Sequence, residues 1–165
     1  MRNGRRSKID DLIARLAACL SARQQMLAVA ESCTGGLLAA ACTERPGSSD
    51  WFDRGFVTYS NAAKQEMLGV NARLIERHGA VSAAVVSAML AGTLAHSRAH
   101  WAIAISGVAG PGGGSSEKPV GTVYIGWAER MGQQSTRRFA LVGDRQMVRQ
   151  VSVTTAIQEL VARLA

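Results

Sequence analysis

Two hydroxyls, a thiol and two glycines cluster in the stretch Glu31-Ser32-Cys33-Thr34-Gly35-Gly36. Apolar runs flank it, at residues 26–30 and 37–41, so it reads as a turn between a strand and a helix. Such turns are common ligand positions in open α/β sheets. Three chemistries compete there: Ser32 as a nucleophile, Cys33 as a nucleophile, or Ser32 or Thr34 as a plain helix cap. The first backbone N–H groups of a helix have no intrahelical partner, which suits a phosphate or an oxyanion. Gly35 and Gly36 would let a ligand approach the backbone closely.

A serine nucleophile needs a base. Lys64, in Tyr59-Ser60-Asn61-Ala62-Ala63-Lys64, qualifies if burial lowers its pKa, and is otherwise an exposed helix lysine. Tyr59 can donate a hydrogen bond or relay a proton, or be a core-edge residue with a wet hydroxyl. The other polar segment is glycine-rich: Gly107, Gly110, Gly112, Gly113 and Gly114 fall within eight residues, after the apolar run 101–106. Inward-turned N–H groups would make such a loop an anion nest, and a plain surface loop is the alternative. Neither a P-loop nor a Rossmann fingerprint fits its spacing. The G-x-S-x-G and H-E-x-x-H patterns are both missing. His96 and His100 are four apart but lack a nearby carboxylate ligand pattern, so no metal is expected, and His78, His96 and His100 read as surface histidines.

The elements that must position these groups follow from periodicity. Helices are predicted over 9–22, 34–44, 61–68, 71–77, 82–97 and 144–164, strands over 26–31, 55–59, 101–106, 122–128 and 135–141. Gly69 closes the third helix, while Ser82 and Asp144 cap the last two. Strands alternate with helices early and pair directly late. The expected fold is a single-domain α/β/α sandwich with a mixed sheet, over residues 9–165, preceded by a basic tail over 1–8.

Composition narrows the class. The 165 residues are 47% hydrophobic and 19% charged, as in a globular protein, and no apolar run approaches membrane-spanning length. Three cysteines without C-x-x-C spacing argue against a disulfide framework or zinc ribbon and for a reducing cytoplasm. The net charge of +7, including Arg2, Arg5, Arg6 and Lys8, suits an anionic partner, either nucleic acid or a phosphorylated small molecule, with plain solubility as the equal alternative. Aromatic content of 5% counts against base-stacking platforms.

The stretches 30–36, 55–70 and 105–126, with His78-Gly79-Ala80-Val81-Ser82 and Gly143-Asp144-Arg145, resemble the C-terminal domain of the CinA family. Stand-alone members of that family are nicotinamide-nucleotide amidohydrolases, and longer ones carry an additional N-terminal domain for which 165 residues leave no room. The resemblance implies hydrolysis of the carboxamide of nicotinamide mononucleotide to the acid and ammonia, in pyridine nucleotide salvage, with the glycosidic bond intact. It implies Ser32 as nucleophile, Lys64 as base and Tyr59 as an assisting hydroxyl. Ser106 falls in the ligand site, and Arg145 is the cation near the substrate. Thr34, Gly35 and Gly36 would supply oxyanion donors, and Gly107, Gly110 and Gly112 would hold phosphate with Arg145. No cofactor is implied, and a homodimer is the expected assembly. A non-catalytic nucleotide- or nucleic-acid-binding module, or an amidase for another small amide, are the rival expectations.

Overall fold

The computed structural model describes residues 7–165. Arg2, Arg5 and Arg6 of the predicted basic tail therefore lie outside the described residues. Lys8, assigned to that tail, instead opens the first helix, α1 (Lys8–Ala22). Ser7 and Asp10 form a capping box at its start.

Five strands build one sheet: β1 (Leu27–Glu31), β2 (Phe52–Val57), β3 (Trp101–Gly107), β4 (Thr122–Glu129) and β5 (Gln134–Ala140). Their order is β2-β1-β3-β4-β5. β1 runs parallel to both β2 and β3, while β4 and β5 pair antiparallel. The mixed sheet expected from the sequence is the one observed.

Side-chain alternation decides what packs on each face. Leu27, Val29, Trp101, Ile103 and Ile105 join a core with Leu16 and Leu20 of α1 and with Ile157 and Leu160 of α6 (Arg145–Leu164). α2 (Leu37–Thr43) packs on this side too. The intervening positions are small: Ala30, Ala102 and Ala104 meet Val85, Val86, Met89 and Leu90 of α5 (Ala83–Ala95). α3 (Asn61–Leu68) and α4 (Ala72–His78) complete that layer. Small residues set its spacing. A Cβ on Gly126 of β4 would stand 2.7 Å from Leu90 Cδ1, and one on Gly92 of α5 would stand 2.1 Å from the Leu68 carbonyl oxygen. Either methyl would force these layers apart.

The chain leaves β1 to form β2 on one side and crosses to β3 on the other. The C-terminal ends of β1 and β3 thus flank a topological switch point, where open sheets place ligands.

Three predicted boundaries are corrected. The helix expected over 34–44 begins only at Leu37, after Gly36 in a left-handed conformation (φ 101°). Neither Ser32 nor Thr34 caps it. Both carboxyl oxygens of Glu31, a residue earlier in the chain, accept from Leu38 N–H (2.8 Å) and Ala39 N–H (3.0 Å). Alternation points Glu31 to the α2 face, which is why the strand's last residue can do this. β2 ends at Val57, so Tyr59 lies in a loop and not on a strand. The helix expected to reach 97 ends at Ala95, so His96 and His100 share no helical face. His96 is exposed, and His100 Nδ1 accepts from Met26 N–H at 3.0 Å.

Candidate active site

Ser32 emerges directly from β1, and its backbone N–H donates to the Ile105 carbonyl of β3 at 3.0 Å. The side chain is thereby anchored at the switch point. Lys64 comes from the opposite layer. Ser60 caps α3 by accepting from Ala63 N–H at 3.0 Å, and Lys64 sits one turn into that helix. Helical side chains tilt toward the N-terminus, which sends Lys64 back under the loop that precedes it.

There Lys64 Nζ lies 3.1 Å from Ser32 Oγ, 2.9 Å from the Thr58 carbonyl oxygen and 3.2 Å from the Tyr59 carbonyl oxygen. Only 1% of Lys64 is exposed. Burial pushes its ammonium below the ordinary value of 10.5, since desolvation disfavours the charged form. Charge on the neighbouring Cys33 thiol acts the other way, but burial pushes that thiol up to about 11, so it stays protonated near neutrality. A neutral amine has two N–H groups and one lone pair. Two carbonyls match the two N–H groups, which leaves the lone pair for the Ser32 hydroxyl proton.

A cavity of about 320 Å³ opens above this pair. Ser32, Lys64, Tyr59, Ser106, Arg145 and the glycines from Gly107 to Gly114 contribute to its wall. Ser106 Oγ donates to the Ala80 carbonyl at 2.9 Å and braces the wall away from Lys64. The Tyr59 hydroxyl accepts from Arg145 Nη2 at 3.2 Å, and Arg145 Nη1 donates to the Gly110 carbonyl at 2.8 Å. Tyr59 therefore meets the Ser–Lys pair through its carbonyl and Arg145 through its hydroxyl.

Thr34, Gly35 and Gly36 are not brought to the cavity. Thr34 is fully buried, Gly35 packs near Arg149, and Gly36 faces Val57. The α2 N–H groups of Leu38 and Ala39 are occupied by Glu31. The turn reaches the cavity wall through Ser32 and Cys33.

Sequence reasoning missed Glu31, Asn61 and Arg149. Asn61 lines the cavity at the first position of α3. Glu31 carried a signal, a lone carboxyl at the end of a buried strand. Arg149 carried none, being 116 residues from the turn it contacts. Among the described residues no cluster of three or more His, Cys, Asp or Glu side chains could hold a metal ion, and no helix is long and apolar enough to cross a membrane.

The CinA C-terminal domain family matches residues 9–164. The chain is 48% identical to the nicotinamide-nucleotide amidohydrolase PncC of Enterobacter agglomerans, over 93% of this chain and 96% of that protein. It is also 48% identical to PncC of Escherichia coli strain K12, over 93% of each. A CinA-like protein of Mycobacterium marinum is 51% identical over 93% of this chain, which spans only 35% of that longer protein. Among solved structures, the competence/damage inducible protein CihA from Agrobacterium tumefaciens superposes with a TM-score of 0.92 at 43% identity, covering 94% of this chain and 95% of that one.

Proposed function

The chain belongs to the CinA C-terminal domain family, and we propose that it is a nicotinamide-nucleotide amidohydrolase that uses Ser32 and Lys64. In this reading it converts nicotinamide mononucleotide and water to nicotinic acid mononucleotide and ammonia, as a step of pyridine nucleotide salvage in the cytoplasm. The likeness to the amidohydrolases along nearly their whole length supports the substrate. The observation that carries the mechanism is the placement of Lys64 Nζ on Ser32 Oγ and two carbonyl oxygens.

Neutral Lys64 takes the Ser32 proton as Oγ bonds to the carboxamide carbon. The tetrahedral intermediate collapses with cleavage of the C–N bond, and Lys64 returns the proton to the departing ammonia. Water then attacks the Ser32 ester, again giving a proton to Lys64, and the acid leaves with the hydroxyl restored. Arg145 and the backbone of the glycine-rich loop hold the anionic phosphate. Tyr59, linked to Arg145, orients that cation and assists at the mouth of the cavity.

Incubation with nicotinamide mononucleotide, nicotinamide, its riboside and unrelated small amides tests the proposal. Ammonia and nicotinic acid mononucleotide should form in equal amounts, fastest from the mononucleotide. Release of free nicotinamide would instead show glycosidic cleavage. Preference for another amide would move the chain to that substrate. Salt-sensitive nucleic-acid binding without ammonia release would favour the binding-module reading. The family reading also carries a homodimer, which light scattering would test.

A further inference from the structure

The turn that presents Ser32 is held from both sides by charged side chains that touch neither Ser32 Oγ nor Lys64. Glu31, fully buried, accepts from the N–H groups of Leu38 and Ala39 beyond the turn. Arg149 grips the turn itself: its Nε donates to the Cys33 carbonyl at 3.1 Å and its Nη2 to the Thr34 carbonyl at 3.2 Å. These carbonyls belong to the two residues after Ser32. Gly35 lets the guanidinium in, since a Cβ there would stand 3.2 Å from Nη2.

Arg149 follows Arg145 by one helical turn, so both project from one side of α6. Arg145 reaches the glycine-rich loop and Tyr59, whereas Arg149 reaches the nucleophile turn. Among the described residues Arg149 forms no ion pair with a carboxylate. Its planar fork spans two successive carbonyls, which the point charge of a lysine does not do.

We infer that Arg149, working against Glu31, is a positioning residue for the reaction: it fixes the 32–34 backbone so that Ser32 Oγ stays on Lys64 Nζ. The inference rests on the serine-amidase reading. It predicts lost turnover and not lost substrate binding, because Arg149 lies outside the cavity wall.

The test measures kcat, KM and the pH–rate profile for nicotinamide mononucleotide in Arg149→Ala and Arg149→Lys, beside the rate at which a fluorophosphonate probe labels Ser32. For Arg149→Ala, kcat and labelling should both fall by about 10–100-fold, the scale of an ångström's misplacement, with KM changed less than about threefold. The ascending limb of the profile, set by deprotonation of Lys64, should keep its position. Arg149→Lys should recover only part of the loss, and added guanidinium ion should restore Arg149→Ala toward wild type. Wild-type labelling and kcat in Arg149→Ala, or full recovery in Arg149→Lys, would overturn the inference. Should Arg149→Ala fail to fold, Arg149→Lys and Glu31→Gln carry the same kcat-against-KM comparison, and an unchanged kcat in both would overturn it. A wild type in which Ser32 never labels and no ammonia forms would bring down the serine-amidase reading itself, and the inference with it.

Discussion

Two glycine-bearing loops follow the two inner parallel strands, and they are built in opposite ways. The turn after β1, residues 32–36, has several of its backbone groups engaged within the protein. Ser32 N–H goes to β3, the carbonyls of Cys33 and Thr34 go to Arg149, and the helix beyond is capped by Glu31. The loop after β3, residues 108–121, is tied at separate points, by Arg145 at Gly110, Arg138 at Glu117 and Lys118 at His78, and its glycines line the cavity. Glycine content alone made both look like anion cradles. What each brings to the cavity separates them: the first turn contributes Ser32 and Cys33, and the second contributes its glycines.

Glycine's role differs inside the second loop as well. A Cβ on Gly110 would stand 2.4 Å from Val120 Cγ1, so that residue packs the loop onto itself. A Cβ on Gly112 would meet nothing within 4 Å. Gly112 is therefore free of packing duty, and it lines the cavity.

The sharpest way to break the contrast is to remove the base from beside Ser32. Lys64→Met keeps most of the buried volume but has no basic nitrogen, and ammonia release should fall by about 10³-fold. The wild-type rate should rise with pH through a value below 10.5, because only the neutral amine accepts the Ser32 proton. The same shift has a stability counterpart. The folded pKa is depressed relative to the unfolded chain, so burying the ammonium opposes folding in full below the folded value. That opposition is relieved as pH rises through the folded value, and it is gone above about 10.5. Urea midpoints measured across the alkaline range in wild type and Lys64→Met should differ in this direction.

Gly112→Ala tests the second loop. It should fold as wild type and raise KM by about tenfold with little change in kcat, since one methyl intrudes on a bound ligand. A kcat effect without a KM effect would make that loop a positioning element like the first. Glu31→Gln tests how firmly the first turn is pinned: thermal or urea unfolding should show about 1–2 kcal/mol lost, from a weakened charge-assisted bond at the α2 start. Cys33→Ala should be the mildest, with ammonia release within about twofold of wild type, because a buried thiol with a raised pKa is no nucleophile at neutral pH.

Local signals wrote much of this fold into the chain. α3 runs from Asn61 to Leu68 and is closed by Gly69, as the sequence indicates, because that cap is nearest-neighbour chemistry. β3 was legible as a continuous apolar run because it is central and covered on both faces. α2 was misread by three residues because its cap comes from the preceding strand, across a turn that two left-handed glycines make. The meeting of Ser32 and Lys64 depends on the crossing from β1 to α3, and no local pattern encodes it. The grip of Arg149 on the Ser32 turn is longer in range still.

The central claim is that Ser32, deprotonated by Lys64, forms the bond to the carboxamide carbon. Rapid quenching of wild type with nicotinamide mononucleotide, followed by peptide mass spectrometry and steady-state ammonia release, tests it directly. The account predicts a nicotinoyl ester on the Ser32 peptide and a rate at least about 10⁴-fold lower in Ser32→Ala. A wild-type rate in Ser32→Ala, or an adduct on Cys33, would contradict it.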